Sequence, residues 1–287
     1  MSARIWLNLL MLAAVLVLAA VTVYKPGIEP DTELPPLTTL APDAVQRIEI
    51  QRGDSTLALE RRSGGWWIAG EPAVPADPLQ VDMLLRLPGE SPQRSYAAAD
   101  LDLAQLKLVP GLSRVRFDDR EFVFGDTDPL QGLRYVQVGD RVHLINDRYQ
   151  GVLQGGHTQL ASRRLLPDGA EITALELPGL SARKQDDGGW TVAPAPERLS
   201  ADAAPRLAQA WNRASALWVR SYQPAEGGEP ITLTLADGSQ IHLELRRAPG
   251  ETVFARPDLG LQYQFPEASA RPLLTLEMPA EAESEGE

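Results

Sequence analysis

The segment SGGWWIAGEPAVPAD, Ser63 to Asp77, returns once as DGGWTVAPAPERLSAD, Asp187 to Asp202, with one residue inserted. A repeat constrains a fold more than local propensity does, because both copies must bury the same positions in the same way. The flanks repeat too. VQRIEIQRGDSTLALERR, from Val45, precedes the first copy and EITALELPGLSARKQDD, from Glu171, the second. Each is two alternating runs around a Gly-containing turn, which predicts a β-hairpin. Downstream, Arg94-Ser95-Tyr96 is echoed by Arg220-Ser221-Tyr222. SRVRFDDREFVFG and ITLTLADGSQIHLEL then each read as strand, acidic turn, strand, with two more short strands after them. The expected fold class is α+β, with two tandem repeats of antiparallel β-sheet and covering helices, over residues 44–167 and 168–278.

The helices are placed by their ends. Asp77 is a good N-cap with Pro78 at the first helical position, and Leu79, Met83, Leu84 and Leu87 form the expected apolar stripe. In the second unit Asp202 takes the cap, and Leu207, Trp211, Ala214 and Trp218 the stripe. Gly64 and Gly65, like Gly188 and Gly189 in the other copy, are expected at the hairpin turn.

Side chains alternate in a strand, so Trp66 and Ile68 share one face and Trp67 the other. Trp190 matches Trp66, which marks that position as a core anchor, whereas Thr191 replaces Trp67. Trp67 is therefore the indole expected to be exposed or to lie between the units. Trp67, Trp218 and Tyr222 are the candidate contacts for a partner or ligand.

Ahead of the repeat, Ile5 to Tyr24 is twenty residues without a charge, enough to span a hydrocarbon core of about 30 Å. It exceeds the usual apolar run of a cleaved signal, roughly 7–15 residues, so the expectation is one transmembrane signal anchor over residues 5–24. Arg4 and the terminal amine leave residues 1–4 cytoplasmic and the rest outside, while Trp6 and Tyr24 mark the two interfaces. Residues 25–43 hold five prolines and read as an extended linker. At the other end, residues 279–287 carry Glu281, Glu283, Glu285 and Glu287 and read as a solvated acidic tail.

The formal charge of −12 argues against binding a phosphate backbone, and the lack of cysteine removes disulfides and thiolate chemistry. His143, His157 and His242 have no metal-ligand spacing, and no nucleophile-elbow, dinucleotide or P-loop motif is present. Asp126 and Asp128 lack the further acidic ligands of a calcium loop, and Arg52-Gly53-Asp54 falls where the first hairpin needs its turn. No catalytic, cofactor-binding or metal residues are expected, so the chain is read as a non-enzyme.

The order of hairpin, GGW, Pro-rich step, Ala-Asp helix start, strand pairs and LASRRLL, Leu160 to Leu166, ahead of a second copy resembles the bacterial domain of unknown function 4340 family. That resemblance implies a protein anchored in the inner membrane and facing the periplasm, as an accessory component of a gliding-motility-type ABC transporter or another envelope complex. A periplasmic module for glycan or peptidoglycan fragments is the alternative, with the candidate aromatics stacking on sugar.

Overall fold

The computed structural model describes residues 6, 10–15, 34–195 and 200–276. Among them no helix is long and apolar enough to cross a membrane. Residues 10–15 are helical and exposed, but most of the expected span over 5–24 lies outside the described residues, as does the tail at 279–287.

The first sheet contains β1 (Arg47–Arg52), β2 (Ser55–Arg62), β3 (Gly65–Ile68), β4 (Val74–Pro75), β5 (Arg94–Ala97), β6 (Ser113–Phe117), β7 (Arg120–Thr127), β8 (Leu133–Val138) and β9 (Arg141–Asn146). The second contains β10 (Ile172–Leu177), β11 (Leu180–Lys184), β12 (Trp190–Ala193), β13 (Trp218–Ser221), β14 (Glu229–Leu235), β15 (Gln240–Ala248), β16 (Glu251–Arg256) and β17 (Leu261–Pro266). Their orders are β4-β3-β2-β1-β6-β7-β8-β9-β5 and β12-β11-β10-β14-β15-β16-β17-β13. Aligned on the repeat the two orders are identical, and β4 has no counterpart among the described residues. Every pairing is antiparallel.

Turn chemistry sets the registers. Leu177 pairs with Leu180 across Pro178-Gly179, where Gly179 has φ 78°, the left-handed value a tight Pro-Gly turn requires. Gly53-Asp54 joins Arg52 to Ser55 in the same two-residue manner, so the Arg-Gly-Asp triplet closes a hairpin. At the β2–β3 turn the loop is Ser63-Gly64 and not Gly64-Gly65, because Gly65 pairs with Arg62 as the first strand residue. The matching turn of the second unit is longer, and Asp187 closes it by accepting from the Gly189 amide at 2.9 Å.

Helices α1 (Pro78–Arg86), α2 (Gln150–Gln154) and α3 (Gly156–Leu160) belong to the first unit, α4 (Ala203–Arg213) and α5 (Glu267–Leu274) to the second. Asp77 caps α1 as expected, in extended backbone with Oδ1 accepting from the Leu79 and Gln80 amides. Asp202 does not cap α4. Its ψ of −6° is already helical, so its carboxylate cannot turn back to the first amides and reaches Arg206 instead. The stripes also shift. In α1 the buried residues are Val81, Leu84 and Leu85, while Leu79 is 76% exposed. α4 stops at Arg213, so Ala214 follows the helix and Trp218 opens β13, 58% exposed.

One buried apolar cluster runs through both units. In the second unit it centres on Trp211, fully buried, with its ring edge-on to Phe254 at 5.3 Å and its Nε1 donating to the Leu273 carbonyl. Trp66 and Trp190 are half-buried and flank this cluster; the fully buried positions are Ile68 and Val192, two residues further on the same face.

The units are joined through the LASRRLL segment. The Leu160 carbonyl accepts from the Asp77 amide, and the Ser162 amide donates to the Pro75 carbonyl, both toward the first unit. On the other side the Arg163 carbonyl accepts from the Ala216 amide, and Arg256, buried and paired with Asp258, donates to the Leu165 carbonyl at 3.0 Å. Residues 160–165 thus bridge the two units, with isolated β-bridges from Ala161 to Ala76 and from Arg164 to Ser215.

Candidate functional site

Where this bridging segment passes the start of β3, a groove of 720 Å³ opens. Ser63 to Trp67 form one wall, Pro75 to Asp82 contribute most of a second, and Ser162 to Asp168 with Ser215 complete it. The three segments are the GGW turn, the Pro-Ala-Asp step and the LASRRLL strip. Each lies there for a local reason: a two-residue turn starts β3, the Asp77 cap fixes the first turn of α1, and backbone pairing holds Ser162 beside Pro75.

The indoles of Trp66 and Trp67 are both half-buried. The Arg61 guanidinium lies 5.1 Å from the Trp66 ring centroid, and Arg62 lies 5.8 Å from that of Trp67, so each indole has a cation against one face. Arg62 also pairs with Glu60 at 3.2 Å, and Arg164 with Asp168. Arg163 differs: its Nε is 3.9 Å from Asp77 Oδ2, beyond hydrogen-bond range, and its side chain is 44% exposed.

The three aromatic candidates separate. Trp67 lines the groove. Trp218 stands exposed on β13, and Tyr222 donates to Glu244 at 3.2 Å beneath the Arg246 guanidinium, which occupies it structurally. Of the structural positions, Gly64, Gly65, Trp66 and Asp77 come together here, whereas Gly188, Gly189, Trp190 and Asp202 do not line this groove. Arg163 and Leu79 went unassigned to a site in the sequence. LASRRLL carried the signal for Arg163, but only the folded chain brings it beside Asp77.

The groove offers hydrogen-bonding, cationic and aromatic groups, and its lining holds three serines and no histidine. Hydrogen bonding, ion pairing and aromatic contact are the interactions these groups supply. Ser95 and His143 do meet, Oγ to Nδ1 at 3.1 Å, at the opposite edge of the first sheet. Arg141 Nε also donates to that hydroxyl at 3.0 Å, and His143 is only 6% exposed, with its pKa lowered by burial and then by Arg141. The pair is a packed cross-strand contact. Asp126 is likewise occupied: the Lys107 ammonium at 2.6 Å holds it below the usual carboxylate range, and Asp128 closes its turn by accepting from the Gln131 amide. Among the described residues no three metal-ligating side chains gather in one place.

A family model described as Domain of unknown function (DUF4340) matches residues 66–221, over half of the chain. It begins at Trp66 and ends in β13, so it spans every segment that lines the groove except Ser63 to Gly65. No curated protein and no solved structure matches.

Proposed function

The chain belongs to the domain of unknown function DUF4340 family, and on that premise we propose that it is a membrane-anchored, non-enzymatic interaction protein that receives a partner segment in this groove. The observation that carries the reading is convergence. Three segments separated by up to about a hundred residues, and characteristic of the family in combination, are folded into one open surface. Such grooves, part aromatic and part charged, suit the capture of another chain.

Anchoring is part of the same proposal. Trp6 and residues Leu10, Met11, Leu12 and Val15 are 56–68% exposed, apolar groups that a hydrocarbon environment accommodates and water does not. A bacterial inner-membrane span over 5–24 then places the sheets in the periplasm. The partner class that fits is an ABC-type transporter or another envelope assembly.

A photo-crosslinking residue at Trp67 in cells, followed by purification in mild detergent, tests the contact. The expected product is one discrete adduct, absent when the label is placed at exposed Leu130. Recovery of monomer alone, with normal transporter assembly in a deletion strain, rejects it. Protease added to intact spheroplasts is expected to remove the sheets, and full protection rejects the topology.

The two indoles favour glycan stacking as the second reading. Arg61 and Arg62 already occupy one face of each ring, which leaves sugars less aromatic surface and ranks this reading below a peptide. A shift in intrinsic fluorescence with cell-wall fragments would reverse that order.

A further inference from the structure

Resting on the reading of the groove as a partner site, we infer that its occupant is an extended peptide segment carrying a carboxylate side chain next to an apolar one. Arg163 is the reason for the carboxylate. The Arg163 carbonyl is bonded to the Ala216 amide, and Asp77 lies beside its Nε, so the residue is held at both ends of its reach. Asp77 Oδ1 is committed to the first amides of α1, and the contact from Oδ2 is too long for a hydrogen bond. The outer nitrogens of the guanidinium therefore keep a planar fork of donors, the geometry that matches a carboxylate. The neighbouring Arg164 and Arg62 make closer ion pairs, through their terminal nitrogens, with Asp168 and Glu60.

Leu79 is the reason for the apolar neighbour. It sits on the first turn of α1, 76% exposed, and lines the groove with Trp67. A large aliphatic group held there by a capped helix gives an incoming side chain apolar surface to cover. The outward nitrogens of Arg163, whose ion pair with Asp77 is made at 3.9 Å through Nε, stand in the same groove as an exposed Leu and a half-buried Trp and read acidic-plus-apolar, and the open groove admits an extended segment. The groove's lining holds Asp77, Asp82 and Asp168 beside Arg163 and Arg164, and the chain's formal charge is −12, so a bound carboxylate depends on direct contact with the Arg163 fork.

Fluorescence polarisation with the full chain in detergent tests this. The probes are fluorescein-labelled twelve-residue peptides with a Ser-Thr-Val frame and a central Leu-Glu, Leu-Gln or Leu-Lys. The Leu-Glu peptide is expected to bind roughly tenfold tighter than Leu-Gln, the scale of one charge-assisted hydrogen bond, with the advantage shrinking as salt rises. Arg163→Gln should erase that preference, Arg163→Lys should keep part of it, and Leu79→Ser should weaken all three peptides alike. Equal binding of Leu-Glu and Leu-Gln, with the Trp67 crosslink intact, overturns the chemistry and spares the partner site. Binding of none of the three, with no Trp67 adduct, removes both.

Discussion

Two aspartates that hold the same place in the repeat do different work. Asp77 is 7% exposed and accepts two amides of α1, whereas Asp202 is exposed and accepts none from α4. Asp77→Ala is expected to lower unfolding free energy by about 1–2 kcal/mol and Asp202→Ala by less than about 0.5, read from urea midpoints. His143 gives a pH signature. Its folded pKa is depressed by burial, so below about 6.5 the unfolded chain takes up a proton that the folded chain refuses, and stability falls with pH from there down to the folded value. Wild type should therefore lose more stability than His143→Gln between pH 7.5 and 5.5 in parallel melts. At this scale the sequence was a partial guide. It marked Asp77 because capping is local chemistry, but could not separate Asp202 from it, since that depends on the backbone angle at Asp202 itself.

At the level of elements, hairpins were the most legible feature, because alternation and turn residues act over a few positions. Helix faces were less so. Leu79 fits a stripe with Met83 on spacing alone, yet the sheet contacts select Val81, Leu84 and Leu85, and Leu79 is left facing the groove. Leu84→Ala should cost about 2–5 kcal/mol and Leu79→Ser should stay within roughly 0.5, measured by chemical denaturation. Trp218 was misplaced for a related reason. The apolar spacing of α4 runs on past its true end at Arg213, where the Ala214 amide closes the last turn on the Trp211 carbonyl. The groove itself was half visible: Trp67 stood out by its replacement with Thr191, but Arg163 acquires a role only when the third segment is laid beside Asp77.

For the whole molecule, the internal repeat was the strongest guide, and the matching strand orders express it. What a repeat cannot reveal is how its copies meet, because that contact is made by the LASRRLL segment and by positions that differ between the copies. Arg256 is one of them. Arg256→Leu leaves the buried Leu165 carbonyl without its donor and should cost about 1–3 kcal/mol in thermal or urea unfolding. Both sheets should still melt together, since one apolar cluster passes through both.

The bridging segment also determines how the chain can be divided. Residues 160–165 end the first unit and are bonded to Asp77 and Pro75 within it, yet the Arg163 and Leu165 carbonyls accept from Ala216 and Arg256 of the second. Two polypeptides made by opening the chain after Pro167 would thus be a socket and its plug. Expressed together, the fragments should reassemble, and with residues 160–167 deleted they should not, which makes Pro167 the position at which to split this protein for a complementation reporter.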